Sequence, residues 1–536
     1  MTPQDYAGVS RKHRWRWAIF GMALLVRLWF GAISFGSVDL TRSLLSTQDL
    51  LAGELWSGIP YLPTMSIFIT LGGVLALKTP LPLALCYKLY PILFDSLMAV
   101  LVHDVVDRRS SGQARTAGLL YAFSPVSILV TCFHAQWDAI WLFFALLAFY
   151  VREEFAESLA KHLLFGVFFG VALLCKPVVL LLAPLFVSAE TFCNRSWQRA
   201  SGAMTAVAGF SGVALLALIG FHLAGYSLFA RLNAIVDYSA GGVIIFGLPF
   251  AFPFDHFPLL RERACLLVIL MAVVIPYMRG QIDSYSSILA MYCGALGVSG
   301  LCPQYLFWPV PLLLMTGHWR SGAVYQVMAS VFLLFYYLNP FASYFPFENM
   351  ATLALLRPLS WAMPPAGWMG QVAAPLIGVL GNYALPVFFL ALVLSILSRV
   401  SRRPVPDASC RDNGALPLLA RLGSVYVPVL LCIGSSILFL RFLVYSPSFS
   451  ALFSREFVEQ QAGMQYQVEF WIPDKVFVGQ YPATSSLHLG WGILLGVCAW
   501  AIAAPLAARA WRPLARNENG TVEAWPMNGH PALHEQ

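Results

Sequence analysis

Residues 133 to 141 read FHAQWDAIW, and this short stretch gathers an imidazole, a carboxamide and a carboxylate at His134, Gln136 and Asp138 within an otherwise apolar run. Such groups near a hydrocarbon boundary are costly unless they are paired or used. A helix hairpin satisfying its own ends is one reading of them. The other is chemical: His134 could donate to a leaving phosphate and Gln136 could hold a hydroxyl. Asp138, at i+4 from His134 on one face of the returning helix, could orient the imidazole. Three further places invite the same question. Asp39, followed by Arg42 and Asp49, stands where an apolar run gives way to a polar loop. By position alone, ordinary loop polarity and helix capping is the stronger reading, and the alternative is a general base that takes a proton from an acceptor hydroxyl. Lys176-Pro177 interrupts FGVALLCKPVVLLLAP. The proline marks a sharp turn between two spans, where a lysine either snorkels to the interface or holds a phosphate. Finally, CPQYLFWPVPLLL (302 to 314) brings Gln304, Tyr305 and Trp308 to the end of another hairpin. Aromatic residues at that depth commonly form an interfacial belt, while the three prolines and the glutamine point to a shaped cleft.

Other chemistries have no anchor. The chain contains no Walker loop, no dinucleotide fingerprint after a strand, no HExxH and no GxSxG elbow. Its ten cysteines lie mostly in apolar runs without CxxC or Cys/His ligand spacing, so neither a zinc site nor a disulfide framework is indicated.

The elements that must position these residues follow from composition. Of 536 residues, 59% are hydrophobic and only 11% charged, where soluble domains carry about 25% charged residues. Long apolar runs bounded by Arg and Lys recur from Trp17 to Trp511. The expected fold class is therefore all-α, a polytopic membrane protein of about 14 transmembrane helices with small extracytoplasmic loops. A β-barrel would need alternating polar and apolar residues, which these runs lack. The net charge of +7 does not point to nucleic acid, because the basic residues fall in short loops between spans, as the positive-inside rule expects.

That rule assigns turns at 107 to 115, 152 to 161, 194 to 199, near Arg279, at 317 to 320 and at 401 to 414 to the cytoplasm, with both termini. The first loop, the His134 hairpin, Lys176, residues 224 to 257, Tyr344 to Met369 and an insert at 445 to 486 fall on the other face. Lys176 there goes against the positive-inside tendency and calls for an anionic partner. The first span is expected to be retained rather than cleaved as a signal peptide. The glycosylation sequons at Asn194 and Asn519 fall in segments assigned to the cytoplasm and read as chance matches. The expected organisation is a transmembrane catalytic module over 1–320, further transmembrane helices over 321–515 carrying the 445–486 insert, and a polar cytoplasmic tail over 516–536.

The four polar places, taken with GSVDL and KLYPILFDSLMAVLVHDVVDRR, resemble in order and spacing the GT-C superfamily of integral-membrane glycosyltransferases, which use sugars carried on polyprenyl phosphate. The likeness is greatest to glycosyltransferase family 87 and to the catalytic subunit of glycosylphosphatidylinositol mannosyltransferase I, and it covers roughly residues 15 to 320. The resemblance implies that Asp39 is the catalytic carboxylate of the first extracytoplasmic loop. FHAQWDA is similar to the His-x-Gln hairpin of the lipid-linked-oligosaccharide glucosyltransferases, which implies that His134 and Gln136 face the active-site cavity. Lys176 matches a basic position expected at the lipid phosphate. Many relatives carry Asp-x-Asp in the first loop, whereas Ser37 occupies its first position here, so a carboxylate-bound divalent metal is not carried over. No cofactor is implied, although a divalent ion stays open.

The expectation is thus an inverting transferase of the inner membrane. It moves a hexose, mannose by likeness, from a polyprenyl-phosphate sugar to a lipid, glycan or protein acceptor on the extracytoplasmic face. Asp39 serves as base, and Lys176, His134 and Arg42 lie near the phosphate. An O-antigen ligase or polymerase would instead concentrate Arg and His in a large late loop. A lipid-linked-sugar flippase or other transporter would show inverted repeats and charges at mid-membrane.

Overall fold

The computed structural model describes residues 3–32, 40, 63–79, 81, 83–110, 112–191, 197–223, 262–298, 300–338 and 374–400. Asp39, Arg42, the 445–486 insert and the 516–536 tail lie outside the described residues. Those described are helical or in short turns, with no strand among them. The helices are α1 (Pro3–Ala32), α2 (Pro63–Lys78), α3 (Leu83–Arg109), α4 (Ala114–Ala122), α5 (Pro125–Ile128), α6 (Asp138–Glu154), α7 (Leu159–Cys175), α8 (Ala183–Thr191) and α9 (Trp197–Leu223). They continue with α10 (Glu262–Met278), α11 (Ser284–Val298), α12 (Pro309–Met315), α13 (Trp319–Leu338), α14 (Ala374–Val379) and α15 (Leu385–Val400).

Three helical stretches, Leu85–Arg109, Ala114–Phe133 and Leu376–Arg399, are long and apolar enough to cross a membrane. The outer faces of α9 and α10 expose Met204, Leu215, Leu216, Leu267, Val268 and Met271, the side chains a hydrocarbon solvent accepts. Pro91 and Pro276 lie inside α3 and α10, as apolar helices tolerate when neighbours re-satisfy the freed backbone groups.

Packing follows from small residues and from a few buried polar ties. On α7, Gly166 meets α9 so closely that a Cβ there would collide with the Ala206 carbonyl, a small-residue contact of the kind that lets apolar helices approach. The α1, α3 and α4 helices form one packed group, α6 lies between α3 and α7, and α11 packs on α15.

Two ends of this bundle carry the polar ties, and α6 runs from one to the other. At its C-terminal end, Arg109 donates to Asp283 at 3.0 Å, lies 3.7 Å from Glu153 and reaches the Met315 carbonyl at 3.5 Å. Asp283 also accepts the Ser286 amide and hydroxyl at 3.1 and 2.7 Å, closing the first turn of α11. Burial works against the Asp283 charge, but Arg109 and Ser286 outweigh it and hold the carboxyl below its ordinary range. The ends of α3, α6 and α12 and the start of α11 are thereby tied at one level. Asp138 opens α6 at the other end, about 22 Å away at 1.5 Å per residue.

Candidate functional site

The hairpin begins where Ser124 caps α5, its hydroxyl accepting the Ser127 amide at 3.2 Å, with Pro125 at the first helical position. After α5 the helix widens into a π turn over Leu129–Phe133, closed by the His134 amide on the Leu129 carbonyl at 2.9 Å. Ala135 then takes a left-handed conformation, φ +59°, and the Gln136 amide reaches back to the Val130 carbonyl at 3.1 Å. A π turn and a non-glycine residue at positive φ are both unfavourable features that persist where surroundings impose them, and both concentrate at functional sites.

This geometry corrects one expectation. His134 does not share the returning helix with Asp138, because it ends the π turn and α6 begins only at Asp138. The left-handed Ala135 separates the two residues. His134, Gln136 and Asp138 are all buried, and so are Trp137 and Trp141. The two indoles are therefore core groups.

Asp138 is the centre on which three segments meet. Its Oδ1 accepts Lys176 Nζ at 2.5 Å and Trp141 Nε1 at 2.9 Å, and its Oδ2 accepts Trp308 Nε1 at 2.9 Å. Its carboxylate is thus engaged by Lys176 and two indoles. Lys176 stands in extended backbone at the end of α7, as the following proline requires. The chain then continues as a 3-10 helix over Pro177–Leu182. The anionic partner that the sequence called for at Lys176 is thus supplied within the chain by Asp138.

Aromatic residues wall this pair. The Lys176 ammonium lies 5.2 Å from the Tyr305 ring centre and 5.8 Å from that of Trp308, within cation–π range. Tyr305 leans on Trp308 at 4.4 Å, and the Trp141, Tyr292 and Trp308 rings contact one another at 5.3 to 5.8 Å. Gln304 and Tyr305 are half-buried in the 3-10 turn Pro303–Phe307. That turn is secured from α13 by the Tyr325 hydroxyl, which donates to the Leu306 carbonyl. Nearby, Gln326 donates to Ser124 at 2.8 Å and accepts the Val126 amide at 3.4 Å. The structure brings Asp138, Lys176, Tyr305 and Trp308 into contact and keeps His134 and Gln136 in the same hairpin.

Sequence reasoning missed Tyr292, an aromatic in a plain apolar run that carries no chemical signal. Its buried hydroxyl and the Trp137 indole N–H have no hydrogen-bond partner among the described residues, and such orphaned groups are rare in protein interiors. It also missed a second ionic cluster. Arg27 and Asp95, both fully buried, pair at 2.6 Å. The guanidinium also donates to the Ala122 carbonyl and the Ser127 hydroxyl, each at 2.7 Å, and Asp95 accepts the Tyr121 and Ser127 hydroxyls at 2.6 Å. Lys88, buried one helical stretch away, donates to the Gly31 carbonyl at 3.2 Å near the end of α1. The available signal was a charge inside an apolar run, at LLVRLWF, CYKLY and ILFDSL.

No family model matches this sequence, and no curated protein is significantly similar to it.

Proposed function

We propose that this chain is an integral-membrane glycosyltransferase that takes a hexose, mannose first, from a polyprenyl-phosphate sugar and places it on a cell-envelope lipid, glycan or protein. The observation that carries the reading is the convergence of the His134–Asp138 hairpin, Lys176 and the Tyr305–Trp308 turn at one end of the bundle, with Asp138 bonded to residues 38 and 170 positions away. A π turn and a left-handed alanine at that point add the local irregularity expected where a backbone serves a site.

The chemistry follows from charge. A polyprenyl phosphate leaves readily, so transfer needs a base on the acceptor and donors for the departing phosphate. The bond from the sugar's anomeric carbon to the phosphate oxygen breaks as the acceptor oxygen bonds to that carbon from the opposite side. The acceptor proton goes to a carboxylate, Asp39 in this proposal, and the charge left on the phosphate falls to Lys176 and His134. Gln136, Gln304 and Tyr305 offer hydrogen bonds and an aromatic face to the sugar. About 14 spans place both termini in the cytoplasm and this end of the bundle outside the inner membrane.

The test is to incubate the purified protein with a panel of polyprenyl-phosphate sugars and an envelope lipid extract, measuring released polyprenyl phosphate and labelled glycan together. Stoichiometric release and transfer from one donor supports the proposal. A panel that yields neither sinks it.

A further inference from the structure

Lys176 is the cation that the proposed function assigns to the phosphate, and it already has a partner. Its ammonium is already held by Asp138 at 2.5 Å, while its side chain keeps 19% of its surface exposed against 3% for the carboxylate. The ammonium lies 5.2 Å from the centre of the half-buried Tyr305 ring. Asp138 is secured independently by the Trp141 and Trp308 indoles at 2.9 Å each, so it keeps two donors when the ammonium turns away. A third stands close by: Tyr292, whose ring contacts both of those indoles, has a buried hydroxyl with no partner among the described residues.

We propose that Asp138 is an internal competitor for Lys176, a carboxylate occupying the seat that a phosphate monoester headgroup takes when it binds. The ligand phosphate accepts the Lys176 N–H bonds, and Asp138 remains on the two indoles and gains the Tyr292 hydroxyl. No covalent bond changes. Two consequences follow physically. The empty site is a neutral pair, which buries less net charge than a bare ammonium. The affinity for the phosphate is weakened by the carboxylate it displaces, which favours release of the spent lipid phosphate after transfer. This rests on the proposed role of Lys176 as an anion contact, and the experiment separates the two.

The full chain in zwitterionic nanodiscs is titrated with geranylgeranyl phosphate, with geranylgeraniol as the uncharged control and inorganic phosphate as the lipid-free control. Asp138→Asn is expected to bind geranylgeranyl phosphate about 10- to 10³-fold more tightly than wild type, the range in which one neighbouring charge shifts an equilibrium. Lys176→Met should lose that binding, and geranylgeraniol should respond to neither change. Unchanged or weaker binding in Asp138→Asn, with loss in Lys176→Met, overturns the competitor role and leaves Lys176 as the anion contact. Wild-type binding in Lys176→Met overturns that contact itself. Inorganic phosphate binding as tightly as the lipid phosphate overturns the lipid source. Should Asp138→Asn fail to fold, Trp308→Phe is read in the same assay. It leaves the ion pair but removes one donor that holds Asp138 during the exchange, so affinity should fall, and an unchanged value overturns the proposal.

Discussion

Two ion pairs among the described residues, Arg27 with Asp95 and Lys176 with Asp138, differ in what surrounds them. Around Arg27 and Asp95, both side chains have no exposed surface, and the surrounding hydrogen bonds come from Tyr121, Ser127 and two carbonyls of α4. Around Lys176 and Asp138, the carboxylate is equally well bonded, but the lysine side chain keeps 19% of its surface exposed and lies near the Tyr305 and Trp308 rings, and the Tyr292 hydroxyl has no partner among the described residues. A saturated pair has nothing left to offer a ligand and acts to hold α1, α3 and α4 in register. An unsaturated pair keeps donors for something else. Burial alone therefore does not describe the difference between the two pairs. The state of the remaining donors does.

The sharpest way to break the comparison is to uncouple the sealed pair. Asp95→Asn preserves shape but leaves Arg27 uncompensated, and should cost about 3–5 kcal/mol in unfolding by SDS titration. The double change Arg27→Met with Asp95→Leu should recover most of that loss, since apolar replacement of a buried pair is often neutral. A loss under 1 kcal/mol in the single variant contradicts the sealed-clamp description.

His318 supplies an intermediate case at the opposite end of the bundle. It lies in the turn between α12 and α13, its Nδ1 2.9 Å from the Thr316 hydroxyl and its buried Nε2 without a partner among the described residues. Burial, then the charge of Arg399, lowers its pKa to about 4. The unfolded chain, with an imidazole near 6.5, takes up the proton first as pH falls. The stability associated with the neutral ring is complete above about pH 6.5 and is lost as pH falls toward 4. Thermal unfolding in detergent should show wild type losing stability across that window, and His318→Gln should flatten the curve. An identical pH dependence in both proteins rejects this assignment.

The smallest effect belongs to the hairpin that carries the open pair. Ala135→Gly removes the penalty of a Cβ at φ +59° and adds the backbone entropy of glycine, so the net gain should be at most about 1 kcal/mol. A marked loss of stability would mean that the left-handed turn is not strained.

Much of the open site was legible in the amino-acid order and almost none of the sealed one was. His134, Gln136 and Asp138 stood out because three polar groups in an apolar run are conspicuous, and Lys176 because proline follows it. That Lys176 would find its counter-charge in Asp138 was not legible, since the residues are 38 positions apart and periodicity says nothing about which helices touch. Arg27 and Asp95 were each visible as misplaced charges, but their pairing across 68 positions needed the packing of α1 on α3. The π turn and Ala135 were illegible for another reason. No glycine or asparagine marks the turn, so tertiary contacts impose what local propensity does not favour. Asp39, read by position as a cap or a base and favoured as the base by resemblance, lies outside the described residues.

The most direct test measures release of polyprenyl phosphate from polyprenyl-phosphate mannose, per folded molecule, in Lys176→Met and Asp95→Asn side by side. The account predicts a loss of at least about 10²-fold in Lys176→Met and a rate within a few-fold of wild type for the folded fraction of Asp95→Asn. Equal losses in the two variants, or a wild-type rate in Lys176→Met, would contradict it.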